Sequence, residues 1–419
     1  MQKSRLYGWR LILPLLVGLL LILAASLSWW YFDDSDLHAV KERARTLGVP
    51  TSWGETGREV TKIERLSIWK EITDISDHPS MFSYRNENKI KTQRKTFAPI
   101  TSELVAHHQT VDSEKLVRLS RLIDQLGSET LVFHRSLTMR HGTWPELDQY
   151  KRLITLLHER VLLAPSTDVP QTCRRLLGLI STFETPTLLH LFVRISLFTN
   201  ALNSIAERIA DVKNIDPEIA KELARLTEQI ALDSEKARIG EFLSLLDLVE
   251  NPPSYSECQS LSSIADGTWD GQPTPWMFRL GRRHLLDTQL DWLVFLRQKP
   301  EMKSALTYGH ELEQAPYIAW NPRNRLARFF LPPLTLEVVI ELVCRLHARL
   351  LITELKDEPW PIDDFDPLHH QLRRIERDGK LMGAYSVYED GVDNGGAKRK
   401  DRYFPLYGPL EAPVIEPKP

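Results

Sequence analysis

The chain has 419 residues, enough for two or three domains and a sizeable core. Hydrophobic residues make up 42% and charged residues 26%, and 53 Lys+Arg against 56 Asp+Glu leave a net charge of −3, so neither a disordered acidic chain nor a strongly basic nucleic-acid binder fits. Cys173, Cys258 and Cys344 lie far apart without a C-x-x-C pair, which excludes a zinc ribbon, a thioredoxin-like motif and a dense disulfide framework; one bridge plus one free thiol stays open.

From Leu11 to Phe32 no residue is charged, and 22 residues rising about 1.5 Å each span the ~30 Å hydrocarbon core of a bilayer. Lys3, Arg5 and Arg10 precede this segment, while Asp33, Asp34 and Asp36 follow it. The positive-inside rule then puts the amino terminus in the cytoplasm and the bulk of the chain outside it, with Trp29, Trp30, Tyr31 and Phe32 as an aromatic belt at the far interface. Ala24-Ala25-Ser26 also reads as a small-residue cleavage site, which would make the segment a signal peptide. No later stretch reaches 18 apolar residues, so the chain is expected to cross once.

Leu37 to Leu47 reads as a short helix ending at Gly48, followed by a turn-rich passage through Gly54 and Gly57. Thr61 to Ile72 has a helical pattern, whereas residues 78–96 are basic and poorly periodic, as a solvated loop would be. From about Leu104 the apolar period is helical almost throughout. Leu116, Leu119, Ile123 and Leu126 form one stripe; Leu153, Leu156, Leu157 and Val161 form another after Pro145. Thr185-Pro186 predicts a capped start for a six-turn stripe from Leu188 to Ile209, and Asp216-Pro217 predicts the start of its antiparallel partner through Ile219, Leu223, Leu226 and Ile230. Leu243, Leu245, Leu246 and Leu248 close this half before Asn251-Pro252-Pro253.

Residues 251–280, rich in Ser, Gly, Pro and Asp, predict a loop separating two helical sections. Leu285 to Leu296 is a further helix, and Pro332-Pro333 introduces a last long one carrying Leu336, Val339, Ile340, Val343, Leu346 and Leu350. Beyond Pro359-Trp360-Pro361, Leu372–Ile375 and Ala384–Tyr388 flank Asp378-Gly379 as a β-hairpin would, with Tyr385 and Val387 on one face and Ser386 and Tyr388 on the other. Glycines at 391, 395 and 396 permit tight turns after it.

The predicted fold is mainly α: an amino-terminal transmembrane helix, an irregular helical-hairpin bundle and a small carboxyl-terminal β-hairpin module. Its expected divisions are a cytoplasmic tail (1–10), the anchor (11–32), juxtamembrane helices and loops (33–100), a helical domain (101–250), a second helical section (251–358) and the tail (359–419).

The tail residues Trp360-Pro361, Asp366-Pro367, Tyr385-Ser386-Val387, Asp390-Gly391-Val392-Asp393-Asn394-Gly395-Gly396 and Asp401 resemble the ending of a group of single-pass membrane proteins from planctomycete and verrucomicrobial bacteria. Thr185 to Val249 also resembles that group's paired helices, with Gly240-Glu241 matching its Gly-Glu dipeptide. Tyr388 stands where the group usually has glycine and Asn394 where it usually has aspartate, and the stretch before Asp366 is shortened. This resemblance implies an anchored helical body but brings no activity. The tail is also similar to the last loop of the major pseudopilins of type II secretion, which implies that Asp390, Asp393, Asn394 and Asp401 with backbone carbonyls could hold calcium, an ion needing six to eight oxygens. The other reading of those residues is a metal-free turn stapled by Asx side chains. The amino end lacks the pseudopilin processing segment.

No H-E-x-x-H, Walker loop, G-x-S-x-G or dinucleotide fingerprint occurs. His107-His108 and His369-His370 are adjacent pairs whose rings diverge by about 100° on a helix, so neither chelates one metal unaided. Glu341/Arg345 and Glu222/Arg225 read as helix-face ion pairs, and Cys344 as a small buried hydrophobe. The expected function is that of an interaction or structural component of the cell envelope, held in the inner membrane with its bulk periplasmic. Its expected partners are the membrane and other envelope proteins, with no nucleic acid and no cofactor unless calcium. The alternatives are an extracytoplasmic hydrolase whose site is assembled from scattered side chains, and a secretion-system component.

Overall fold

The computed structural model describes residues 34–56, 67–76, 113–126, 145–183, 185–213, 216–252, 275–318, 334–377, 379–396 and 400–407, together with positions 106 and 111. The expected anchor at 11–32, the basic stretch at 78–96, His107-His108 and Cys258 lie outside them.

Helix α1, Ser35–Thr46, buries Leu37, Val40 and Ala44 on one stripe. Its end is a Schellman motif. Gly48 adopts φ +67°, its N–H donates to the Arg45 carbonyl, and the Val49 N–H donates to the Ala44 carbonyl at 2.8 Å. Helices α2 (Ser67–Ser76) and α3 (Ser113–Leu126) pack together, and α3 buries Leu116, Leu119, Ile123 and Leu126 as the period requires. Within the stretch 61–72 the described helix begins only at Ser67, and it continues to Ser76.

Helices α4 (Pro145–Leu163) and α5 (Val169–Thr182) form a hairpin, fastened where the Tyr150 hydroxyl donates to the Leu179 carbonyl at 2.6 Å. At the centre lies α6, Leu188–Glu207, which touches α4, α5 and two long later helices. Among the described residues it is the one helix long and apolar enough to cross a membrane, and two thirds of its most apolar window is buried inside the protein. It is the bundle's core helix. It begins two residues later than Thr185-Pro186 predicts, with Thr187 as the N-cap residue, and the Pro186 carbonyl rests close against a neighbouring helix. The six-turn stripe also breaks at Arg208, whose guanidinium donates to the Leu162 and Ala164 carbonyls and so closes the end of α4; the short helix α7, Ile209–Lys213, follows.

Helix α8, Glu218–Glu250, runs unbroken for 33 residues. Asp216 caps it by accepting the Glu218 N–H at 3.0 Å. Its first part shares the large core with α3 to α6, while Phe242, Leu243, Leu245 and Leu246 join α1 in a second cluster with Leu285, Leu286, Leu290 and Leu293. Those leucines belong to α9, Pro275–Arg297, which starts inside the stretch 251–280 expected as a loop: Pro275 is favourable in a first helical turn, and the leucine stripe rewards extending it. Helix α10, Met302–Ile318, has weak periodicity and was not anticipated. Helix α11, Leu334–Lys356, begins directly after Pro332-Pro333 as expected, but Leu336 is 43% exposed because the buried face at that turn is occupied by Glu337 and Val338.

The tail is a three-stranded antiparallel sheet in the order β1 (Arg373–Arg377), β2 (Lys380–Ser386), β3 (Arg402–Pro405). The expected hairpin forms, with Arg377 paired to Lys380 and Arg373 to Tyr385 and with Gly379 at φ +71° between the strands. The third strand lacked a legible alternation. Strand β2 stops at Ser386, so Val387 leaves the ladder and the expected facing pattern does not continue; its N–H goes to the Asp363 carboxylate at 3.0 Å. The sheet docks on α11 through the His347 and Phe404 rings, 5.3 Å apart, and on the end of α6 through the Tyr407 N–H and Ala206 carbonyl. Among the described residues strands are confined to this tail, and the chain before it is helical.

The tightest crossing is at Gly240 of α8. A Cβ there would stand 1.6 Å from the Pro186 carbonyl oxygen and 3.2 Å from the Trp53 ring, so backbone would have to move. G240A should therefore destabilise the full chain by roughly 3 kcal/mol or more. G178A is the control: a Cβ on this α5 residue meets nothing within 4 Å, and the substitution should stabilise by up to ~1 kcal/mol. Denaturant midpoints of the two variants check both signs.

Candidate functional site

Two concentrations of polar groups stand out. The first is a seam between α8 and α11. Ser234, Arg238 and Glu241 recur at four and three residues on one face of α8, and Glu337, Glu341 and Arg345 recur at four residues on α11, so each helix turns a polar stripe into an otherwise apolar contact. The Arg238 guanidinium bonds Glu337 through Nε and reaches Glu341 through Nη2 at 3.3 Å. Glu341 also accepts from the Ser234 hydroxyl at 2.7 Å and pairs with Arg345 at 3.3 Å. The Trp292 indole N–H of α9 donates to Glu337 at 3.3 Å, tying the third helix in. Glu341/Arg345 is the helix-face ion pair expected and also one edge of a buried network, whereas Glu222/Arg225, at 2.8 Å, stays a pair on its own helix face. Burial pushes the Glu337 carboxyl up against the pull of Arg238, and it pushes the fully enclosed Glu241 carboxyl up to about 7. The Leu188 backbone N–H in the first turn of α6 pulls the Glu241 carboxyl the other way.

Further buried ionisable groups line α6. Arg194 is completely enclosed and bonds Asp233 of α8 at 2.6 Å. Desolvation holds the His190 ring near 4 and the His347 ring near 3, so both are neutral. Cys173 and Cys344 are free, buried thiols pushed up to about 12 by desolvation, which excludes a bridge between them and makes both poor nucleophiles.

The second concentration is the tail. Asp363, fully buried, accepts from the Ser386 hydroxyl, the Phe365 N–H and the Val387 N–H, so it nails the β2 end to the segment after α11. Asp366 accepts the Leu368 N–H and pairs with Arg373 at 2.7 Å and with His370 at 2.9 Å; the N–H and these two partners hold its carboxyl down at about 2 despite desolvation. Arg373 reaches on to Asp393 at 2.8 Å.

The four residues proposed to hold calcium lie in this loop, where the three aspartates already accept protein donors and the Asn394 amide is itself a donor. Asp390 accepts from the Val392 N–H and the Asn394 amide, Asp393 from the Gly395 N–H, the Tyr385 hydroxyl and Arg373, and Asp401 from the Gly396 N–H at 2.7 Å. Gly391, Gly395 and Gly396 take φ of +64°, +71° and +80°, as the turns require. The arrangement is that of a loop stapled by Asx side chains. Among the described residues no group of three or more His, Cys, Asp or Glu side chains is arranged to hold a metal.

The depressed histidines give a signed pH dependence. Unfolding lets His347 return toward 6.5, so the unfolded chain binds a proton that the folded chain does not, and stability falls as the pH drops from about 6.5 toward 3. H347F keeps a ring against Phe404 and removes the titration. Wild type should lose about 1.4 kcal/mol per pH unit relative to H347F across that window, measured by urea unfolding at stepped pH.

No protein-family model, no curated protein and no solved structure matches the chain.

Proposed function

We propose that the chain is a single-pass inner-membrane protein whose helical body lies outside the cytoplasm and serves as an interaction or structural component of the cell envelope, akin to the planctomycete and verrucomicrobial group that its tail resembles. The observation carrying this reading is where the perturbed groups sit: Glu241, Glu337, His190 and His347 are each at most 5% exposed, bound into helix contacts out of a substrate's reach. An enzyme assembled from scattered side chains would instead present such groups at an opening.

The start of the body supports the anchored reading. Asp34 and Asp36 stand just past the uncharged stretch, and both bond Arg282 of α9, Asp34 at 2.6 Å and Asp36 at 3.0 Å to Nε. Arg43 pairs with Asp287 at 2.7 Å and with Asp291, and Arg297 donates to the Leu47 carbonyl. A span ending at Phe32 would thus enter the folded body within two residues, with no slack linker, and would present the bundle to partners at a fixed height above the bilayer.

Protease added to intact spheroplasts should digest the body, leaving a small membrane-held fragment. Protection of the body until the membrane is ruptured would reverse the orientation, and recovery of the intact chain in the soluble fraction would remove the anchor.

A further inference from the structure

Helices α1 and α9 lie side by side and run the same way. Arg282 bonds Asp34 and Asp36, Arg43 bonds Asp287 and Asp291, and Arg297 donates to the Leu47 carbonyl, so positions on the two helices rise together along the pair. This register leaves α9 the longer partner at its amino end. Arg282 is level with the start of α1 at Ser35, yet α9 begins at Pro275. Residues 275–281 therefore overhang the start of α1 by about 10 Å, on the side from which the chain enters.

The uncharged stretch 11–32 ends two residues before Asp34, and two residues reach at most about 7 Å. On the anchored reading above, on which this inference rests, the outer face of the bilayer lies within that reach of Asp34 and the overhang runs toward it. The residues on these turns suit that place. Trp276 and Leu280 precede Arg283 by seven and three positions, the spacing of one helix face, and the Arg283 side chain on that face is 62% exposed. The face is thus apolar where α9 overhangs and charged from Arg283 onward, with Asp287 four residues later. Met277 and Phe278 stand four positions before the buried Gly281 and Arg282, so they continue the inward face of α9 past the first residue of α1. Tryptophan and phenylalanine favour the headgroup level of a bilayer, and an arginine beside them can reach lipid phosphates.

We propose that the first two turns of α9 are a second membrane contact, seated in the outer interface of the bilayer beside the anchor, with the Trp276/Leu280 face against phospholipid and Arg283 at headgroup level. Held this close to the span, the overhang meets lipid before any soluble partner. A single span leaves the body free to swivel and tilt; a second contact beside it fixes which side of the bundle faces outward.

Photocrosslinking of the full chain in vesicles of phosphatidylethanolamine and phosphatidylglycerol tests this. Trp276→p-benzoylphenylalanine and, in a separate variant, Leu280→p-benzoylphenylalanine should each form a phospholipid adduct on illumination, read as a mass increment. The yield should be several-fold above that of the same probe at Leu232, an exposed position of α8. Either variant decides if the other does not fold. The same probe at Leu20 reports the anchor independently. Adducts at Leu20, with yields at 276 and 280 no higher than at 232, overturn the second contact and leave the anchor standing. No adduct at any of the three membrane positions removes the anchored reading and this contact with it.

Discussion

Long helices can slide along one another when their contacts are purely apolar, because a shift of one turn exchanges one leucine for the next at small cost. The charges between α8 and α11 remove that freedom. Arg238 must lie opposite Glu337 and Glu341, and a slip of one turn would leave enclosed charges unpaired, at a cost of several kcal/mol. The same helix offers Gly240 to the segment that leads into α6, so the register fixed against α11 also sets how closely that segment can approach. Trp292 brings α9 to the same level, and α9 in turn holds α1 through Arg282 and Arg43. The position of the body's first helix thus traces back to one buried arginine.

Polar interiors of this kind carry ionisable groups with displaced pKa values. A buried carboxyl or imidazole with a displaced pKa is the raw material of acid–base catalysis only when a reactant reaches it. Here the displaced groups are spent on joining helices, and the more accessible ionic cluster around Asp366, Arg373 and Asp393 is spent on holding the segments of the tail together. The carboxylates of the glycine-rich loop follow the same logic: each accepts backbone or side-chain donors that hold the loop's shape.

Much of the helical architecture was legible because its signals are local. Gly48 after a three-residue apolar stripe, Asp216-Pro217 before Ile219, and Pro332-Pro333 before Leu334 each mark a boundary through backbone chemistry that needs no partner. The misreadings have non-local causes. Thr185-Pro186 looks like a helix start, yet Pro186 lies packed against Gly240, 54 positions away, and the helix starts at Leu188. Glu341 looks like half of a helix-face pair and nothing more, because its spacing to Arg345 is visible, while its bonds to Ser234 and Arg238 are not. A signal for the seam did exist: three polar residues recurring at helical spacing on an apolar face of α8, and three more on α11, are a repeated exception that two facing helices explain. The Gly-Glu dipeptide is visible in the sequence, but why a glycine stands at 240 is legible only with the Pro186 carbonyl beside it.

The account stands on mutual pairing across that seam, and a double-mutant cycle between Arg238 and Glu337 measures it most directly. R238M alone should cost about 3–5 kcal/mol, since it strands two enclosed carboxylates, and E337M alone should cost less because Glu341 still holds Arg238. If pairing sets the register, R238M/E337M should unfold at a higher denaturant concentration than the sum of the single losses allows, with a coupling of at least ~1 kcal/mol. Strictly additive losses would contradict it and return the alignment of α8 and α11 to apolar packing alone.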